Sequence, residues 1–359
     1  MPESKRMPGC RYTEDARLDA RNTFGVAART PLLVEVEDAA ALPAVLADPL
    51  LRDGMQRGRG LLVLGGGSNL LFAGDAPGAV LAISACDMRV LADHGDFAIV
   101  RADAGASWDG FVRWSLAQGL AGLENLALIP GTVGAAPIQN IGAYGAEVRE
   151  RIHAVEAFER ATGEVRRLAP AACAFAYRDS LFKREPERYV VTAVEFELPR
   201  AAPLRLEYAG IGEELAAMGL AGTPTPTQVA DAVSRIRRRK LPDPAVLGNA
   251  GSFFKNPIVP AAQAEALQAA HVSLPVFRGD GDATRKLSAA WLIEQCGWKG
   301  HRDRDSGAGV AASHALVLVN HGGATGAQLL DLARRIAASV QARFGVAIEP
   351  EPRIVGDQW

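Results

Sequence analysis

Two short stretches concentrate glycine, and they restrict this chain more than any other feature. The first is Gly65-Gly66-Gly67-Ser68-Asn69; the second places Gly131, Gly134, Gly142 and Gly145 close together with Thr132, Ala135, Gln139-Asn140 and Tyr144 interleaved. Each glycine loses more conformational freedom on folding than any other residue, so a cluster needs a reason. Close approach of backbone to backbone, or of backbone to a ligand, is that reason. The first stretch offers consecutive N–H groups without β-carbons, beside two short polar side chains, which suits a phosphate oxygen as well as it suits an ordinary turn. It is neither a P-loop, lacking the G-K-[ST] ending, nor a Rossmann fingerprint, since it runs into Leu70-Leu71-Phe72 rather than a helix.

The rest of the chain reads as a globular protein of 359 residues, long enough for two or three domains. No apolar run reaches the roughly 18 residues of a membrane helix. The 39 Lys and Arg balance 41 Asp and Glu, so nothing drives binding to nucleic acid. Met1 to Cys10 lacks an apolar core and a cleavage pattern, which leads us to expect a cytoplasmic protein. Cys10, Cys86, Cys173 and Cys296 form no C-x-x-C pair and the six histidines no H-E-x-x-H, so free thiols and no metal site are expected.

Strand-like and helix-like runs alternate from Leu32 to Phe72. Ser107 can cap a helix over Trp108 to Gln118 that stops at Gly119. Val194, Phe196 and Leu198 alternate with Glu195 and Glu197 as in a half-buried antiparallel strand. After a composition break at Ala221 to Pro226, Thr225-Pro226-Thr227-Gln228 is a capping box opening a helix with Val229, Val233 and Ile236 inward. Thr325-Gly326-Ala327-Gln328 opens a second, through Leu329, Leu332, Ile336 and Val340 to Gly345, and a strand-like tail follows.

Three further stretches can carry chemistry. Arg235, Arg237, Arg238, Arg239 and Lys240 end the first capped helix, either as a solvated terminus favoured by the dipole or as neutralisers of a pyrophosphate. Ser252 lies in a glycine-flanked turn before Phe253-Phe254 without the G-x-S-x-G elbow of a triad nucleophile. Glu351 sits between Pro350 and Pro352, held in stiff extended backbone.

Together these segments resemble the UDP-N-acetylenolpyruvoylglucosamine reductase family, flavoenzymes of bacterial peptidoglycan synthesis. The likeness runs from Asn22-Thr23-Phe24 to Arg353. Its most specific pieces are Gly67-Ser68-Asn69, Ile129-Pro130-Gly131-Thr132-Val133-Gly134, Gln139-Asn140-Ile141-Gly142-Ala143-Tyr144-Gly145, Tyr177-Arg178-Asp179-Ser180, Lys240-Leu241-Pro242-Asp243-Pro244 and Gly251-Ser252-Phe253-Phe254-Lys255-Asn256-Pro257. Pro352 and the uninterrupted Gly65-Gly66-Gly67 depart from the family pattern.

The resemblance implies an α+β fold, with a two-part FAD-binding region of the para-cresol methylhydroxylase/vanillyl-alcohol oxidase type and a C-terminal α+β substrate domain. Its implied domains are 1–84 joined by a C-terminal strand in 346–359, 85–224, and 225–345. It implies non-covalent FAD, NADPH as co-substrate and a UDP-sugar substrate, handled by a monomer with no nucleic-acid or membrane partner. Catalytic roles carry over to Arg178, Ser252 and Glu351. Cofactor contacts carry over to Asn22, Thr23, Gly65, Gly66, Gly67, Ser68, Asn69, Pro130, Gly131, Thr132, Gly134, Ala135, Ile138, Gly142, Tyr144 and Arg237. Substrate contacts fall to Tyr208, Lys240, Asn256, Gln295 and Arg353, with Tyr208 marking the subclass that has a substrate-capping tyrosine loop. Two other classes stay open on the residues alone, a non-catalytic nucleotide-sugar module and a related-fold oxidase or dehydrogenase of hydroxy acids or sugars.

Overall fold

A computed structural model describes residues 4–58, 60–220, 222–279 and 281–359. Met1 to Glu3 of the amino-terminal segment and Ala221 at the composition break lie outside them. The chain forms two compact units. The first takes in Met1–Ala16, Thr30–Gly66 and Ala76–Arg238, and the second Arg17–Arg29, Gly67–Asp75 and Arg239–Trp359.

In the first unit, strands Arg29–Val36, Ala79–Ile83 and Leu61–Leu64 run parallel, with the hairpin Ser4–Met7 and Cys10–Arg17 extending the sheet on one side. Their near-continuous apolar runs are buried on both faces, as a parallel sheet requires. A second, antiparallel sheet pairs Tyr189–Pro199 centrally with Ile152–Glu159 and Phe97–Asp103. Here the alternation of Glu195 and Glu197 predicts one wet face, but Glu195 is only 4% exposed. Arg167, on the strand Glu164–Leu168 that lies beyond Ile152–Glu159 in the same sheet, donates to Glu195 at 2.8 Å, and Arg101 forks onto Glu156 at 3.0 and 2.8 Å. Paired charges, rather than water alone, cover that face. The helix Trp108–Ala117 starts where Ser107 Oγ accepts the Gly110 N–H at 3.3 Å, and Trp108, Phe111 and Val112 go into the core under the sheet. The helix Pro226–Lys240 begins at the expected box, with Thr225 and Gln228 exchanging hydrogen bonds at 2.8 and 3.3 Å. Its Val229, Val233 and Ile236 join the same core, so the chain leaves this unit only after Arg238.

The second unit has the sheet Gly248–Ser252, Val317–Asn320 and Ala308–Val310, a smaller sheet of Ile258–Pro260, Thr284–Leu287 and Val276–Arg278, and the helix Gly326–Phe344. That helix carries the full Thr325/Gln328 capping box and stops at Gly345, whose φ of 66° is the left-handed cap. The tail forms the strand Arg353–Val355, which pairs in parallel with Leu70–Phe72. Among the described residues no helix is long and apolar enough to cross a membrane.

Candidate active site

In the first unit the two glycine-rich stretches, read separately in the sequence, meet. A β-carbon on Gly65 would stand 2.9 Å from Thr132 Oγ1, and one on Gly66 would stand 3.0 Å from Gly131 Cα. The strand Leu61–Leu64 delivers the first stretch, and the second is tacked to the 104–108 segment. Trp108 donates to the Gly131 carbonyl at 3.1 Å, while Val133 and Gly134 donate to Ala106 and Ala104, each at 2.9 Å. Two bare backbones thus run side by side, which only glycine allows.

Of the five basic residues ending the helix Pro226–Lys240, four are exposed and Arg237 is half-buried. Its Nε–H donates to the Leu128 carbonyl at 3.2 Å, at the entry to the second glycine-rich stretch. Burial pulls its pKa below the usual guanidinium range, Tyr144 and Asp109 opposing, and among the described residues no carboxylate pairs with it. A desolvated cation without a counter-ion favours an anionic ligand. Glycine backbone, the Thr132 hydroxyl and one guanidinium form a donor-rich set that suits a pyrophosphate, so these residues fit FAD.

The motif Tyr177-Arg178-Asp179-Ser180 has a structural reason at each position. Ala176 and Asp179 exchange backbone hydrogen bonds at 3.0 and 3.3 Å, so Tyr177 and Arg178 form the tip of a tight turn. Arg178 takes φ 54° there, and its guanidinium reaches back to the Gly142 carbonyl at 2.8 Å. Ser180, fully buried, caps the following helical turn and donates to the Ile138 carbonyl at 2.6 Å. The Asn140 amide ties the Ala176 carbonyl at 3.0 Å to Glu147 at 2.9 Å. Arg178 is therefore fixed against the stretch that carries Ile138, Gly142 and Tyr144. The ring of Tyr208, 49% exposed, meets Tyr144 edge-on with centroids 5.1 Å apart.

In the second unit Gly67 takes φ 62°, and its carbonyl accepts the Thr23 N–H at 3.1 Å. A β-carbon at Gly67 would fall 2.0 Å from the Arg21 carbonyl oxygen, so this glycine is needed for the fold whatever it binds. Asn22 spends its side chain inside its own loop, donating to Leu18 and Val26 carbonyls at 2.9 and 3.0 Å and accepting the Val26 N–H at 3.1 Å. Asn69 accepts the Arg353 N–H at 3.1 Å. Ser252 ends the strand Gly248–Ser252, opposite Val317, and Glu351 donates its N–H to the Phe253 carbonyl at 2.7 Å. The turn and the proline-flanked tail are thus neighbours, with Ser252 and Glu351 one backbone hydrogen bond apart through Phe253.

Sequence matches to known proteins bear on both units. Residues 33–169 match the FAD binding domain model, and residues 243–355 match the C-terminal domain of UDP-N-acetylenolpyruvoylglucosamine reductase. A UDP-N-acetylenolpyruvoylglucosamine reductase of Xanthomonas oryzae pv. oryzae is 59% identical over 351 residues, covering 98% of each chain. The chain belongs to the UDP-N-acetylenolpyruvoylglucosamine reductase family. A namesake from Xanthomonas euvesicatoria pv. vesicatoria is also 59% identical, over 353 residues. The crystal structure of the Thermus caldophilus reductase covers 99% of this chain and all of its own at a TM-score of 0.64 and 23% identity, a likeness of fold. The family, the α+β class, FAD and the oxidoreductase assignment all agree with the sequence-based expectations.

Within this reductase the expected substrate residues lie on the second unit, except Tyr208. Lys240 is exposed, and its carbonyl accepts from Ser313 Oγ at 2.8 Å. Asn256 Oδ1 accepts the Ala289 N–H at 3.0 Å at the start of the helix Ala289–Gln295, whose last residue is Gln295. Sequence reasoning missed His314. Its Nδ1 accepts the Leu316 N–H at 3.2 Å, and burial holds its pKa below the ordinary histidine value, with the Lys240 and Lys299 charges adding to the effect. A lone histidine in a Ser-His-Ala-Leu stretch carries no periodic or spacing signal.

Proposed function

We propose that this reductase uses NADPH to reduce the enolpyruvyl ether of UDP-N-acetylglucosamine enolpyruvate to UDP-N-acetylmuramate, as a cytoplasmic monomer. The 59% identity that spans 98% of both chains carries the reading. FAD, when bound, supplies the hydride chemistry between NADPH and the substrate. Gly65, Gly66, Pro130, Gly131, Thr132, Gly134, Ala135 and Arg237 are assigned to its pyrophosphate, and Asn22, Thr23, Gly67, Ser68 and Asn69 are each assigned as cofactor contacts. The functional domains proposed are 1–84 with 346–359, 85–224, and 225–345.

Hydride arriving at the enolpyruvyl methylene drives the double-bond electron pair onto the adjacent carbon and its carboxylate. Arg178, permanently charged, is assigned to that carboxylate, and Glu351, in its protonated form, as a donor to the charge that develops on it. Removing one such stabiliser typically costs about 3–4 kcal/mol in activation free energy. Ser252 Oγ–H then gives its proton to the carbon. A serine hydroxyl is a weak acid and works only against so basic a centre.

Acid precipitation of the purified protein should release a yellow chromophore into the supernatant. Colour retained in the pellet, or a colourless protein that NADPH and the UDP-enolpyruvyl sugar leave spectrally silent, overturns the assignment. Lys240→Ala and Tyr208→Ala should each raise the KM for the UDP sugar about tenfold or more, the usual effect of losing a charged or aromatic anchor, with flavin reduction by NADPH little changed. Equal damage to both half-reactions would remove these residues from the UDP site.

A further inference from the structure

Leu128 occupies a conformation that its side chain disfavours. Its φ is 58°, in the left-handed region that glycine visits freely and a β-carbon resists. Asp109, in the first turn of the helix Trp108–Ala117, accepts the Leu128 N–H on Oδ1 at 2.6 Å. With the peptide so turned, the Leu128 carbonyl accepts the Arg237 Nε–H at 3.2 Å. Three segments distant in sequence are joined in a line that ends on the half-buried guanidinium.

The line has a particular electrostatic property. Asp109 lies near enough for its charge to act on Arg237, yet among the described residues no salt bridge joins the two. Direct pairing would neutralise the guanidinium and leave a phosphate to compete with a carboxylate. A peptide placed between them passes on orientation while, among the described residues, no carboxylate pairs with the Arg237 terminal NH2 groups. Those groups form the fork that recognises phosphate oxygens.

We propose that Asp109 is a positioning residue that aims Arg237, through the left-handed Leu128 peptide, at the pyrophosphate of the dinucleotide cofactor. The inference rests on the reading of Arg237 given under Proposed function.

The test measures FAD binding to the apoprotein by quenching of flavin fluorescence, with no turnover involved. Arg237→Gln should weaken FAD about 10–100-fold, the usual effect of losing a charge-assisted hydrogen bond. Asp109→Ala, which removes the acceptor of the Leu128 N–H, should weaken it about 5–20-fold in the wild-type background and by less than about twofold in the Arg237→Gln background, because it acts only through the guanidinium. Leu128→Gly, which reaches φ 58° without help, should restore part of the affinity lost in Asp109→Ala. Equal losses from Asp109→Ala in both backgrounds would make Asp109 a purely structural residue and overturn the proposal. So would an Asp109→Ala protein that binds FAD like wild type. Unchanged FAD affinity in Arg237→Gln would instead remove Arg237 from the cofactor site, a separate failure of the underlying reading.

Discussion

Ser252→Ala should leave reduction of the bound flavin by NADPH near its wild-type rate and slow reoxidation by the UDP-enolpyruvyl sugar by at least about 10²-fold, the lower range of general acid catalysis. Only the second half-reaction forms a carbon base that needs a proton. The surrounding structure makes the experiment clean. The turn is held by backbone, with Phe253 donating to the Leu316 carbonyl at 2.7 Å and Gly251 donating to Asn249 Oδ1 at 2.9 Å. Among the described residues Ser252 Oγ has no hydrogen-bond partner, so its removal takes no bond from the fold. Ser252→Cys, which keeps a donor proton, should recover part of the rate. Rapid mixing resolves the two halves, and reoxidation within about threefold of wild type in a folded Ser252→Ala protein would falsify the proton-donor role.

Gly326→Ala should be among the most damaging glycine replacements for stability that a methyl group can make in the second unit. A β-carbon there would lie 1.6 Å from the Phe72 carbonyl oxygen and 2.6 Å from its carbon, both backbone atoms of a buried strand. Neither can rotate away, so the first turn of the helix Gly326–Phe344 or the strand Leu70–Phe72 must move. Overpacking of this kind costs about 1–3 kcal/mol where side chains can yield and more where backbone must. We expect at least about 3 kcal/mol, which at about 2–4 °C per kcal/mol lowers the unfolding midpoint by roughly 6–12 °C. Gly212→Ala is the control. It sits in the helix Ile211–Ala217 with nothing within 4 Å of the added carbon, and should be neutral or stabilising. Calorimetric traces in which the two variants melt together would show that the Phe72 contact does not decide stability.

What could be read from the sequence was mostly local. The Thr225/Gln228 and Thr325/Gln328 boxes and the Ser107 cap depend on residues three apart, and all three formed as written. The buried Glu195 did not follow its alternation, because its partner Arg167 comes from another strand of the sheet. Both glycine-rich stretches were visible as anomalies, but their side-by-side packing was not, since neither composition nor spacing says which turn faces which. Arg237 was one of five basic residues within six positions until helix phase and packing singled it out. The link from Asp109 through Leu128 had no sequence signature, because left-handed backbone at leucine is imposed by tertiary structure.

The parallel pairing of Leu70–Phe72 with Arg353–Val355 also sets a schedule for biosynthesis. The two partners are 353 − 70 = 283 positions apart at their first paired residues, Leu70 and Arg353. At about 5–20 residues per second, a ribosome takes roughly 15–60 s to cover that distance. During that interval Leu70-Leu71-Phe72, wholly buried in the finished protein, has been made but lacks its mate. Such an apolar strand with an open edge is the kind of segment that chaperones shield and that aggregates recruit. Nascent chains stalled before Arg353 should therefore stay bound to trigger-factor-like holdases, and release should coincide with emergence of the last strand from the exit tunnel.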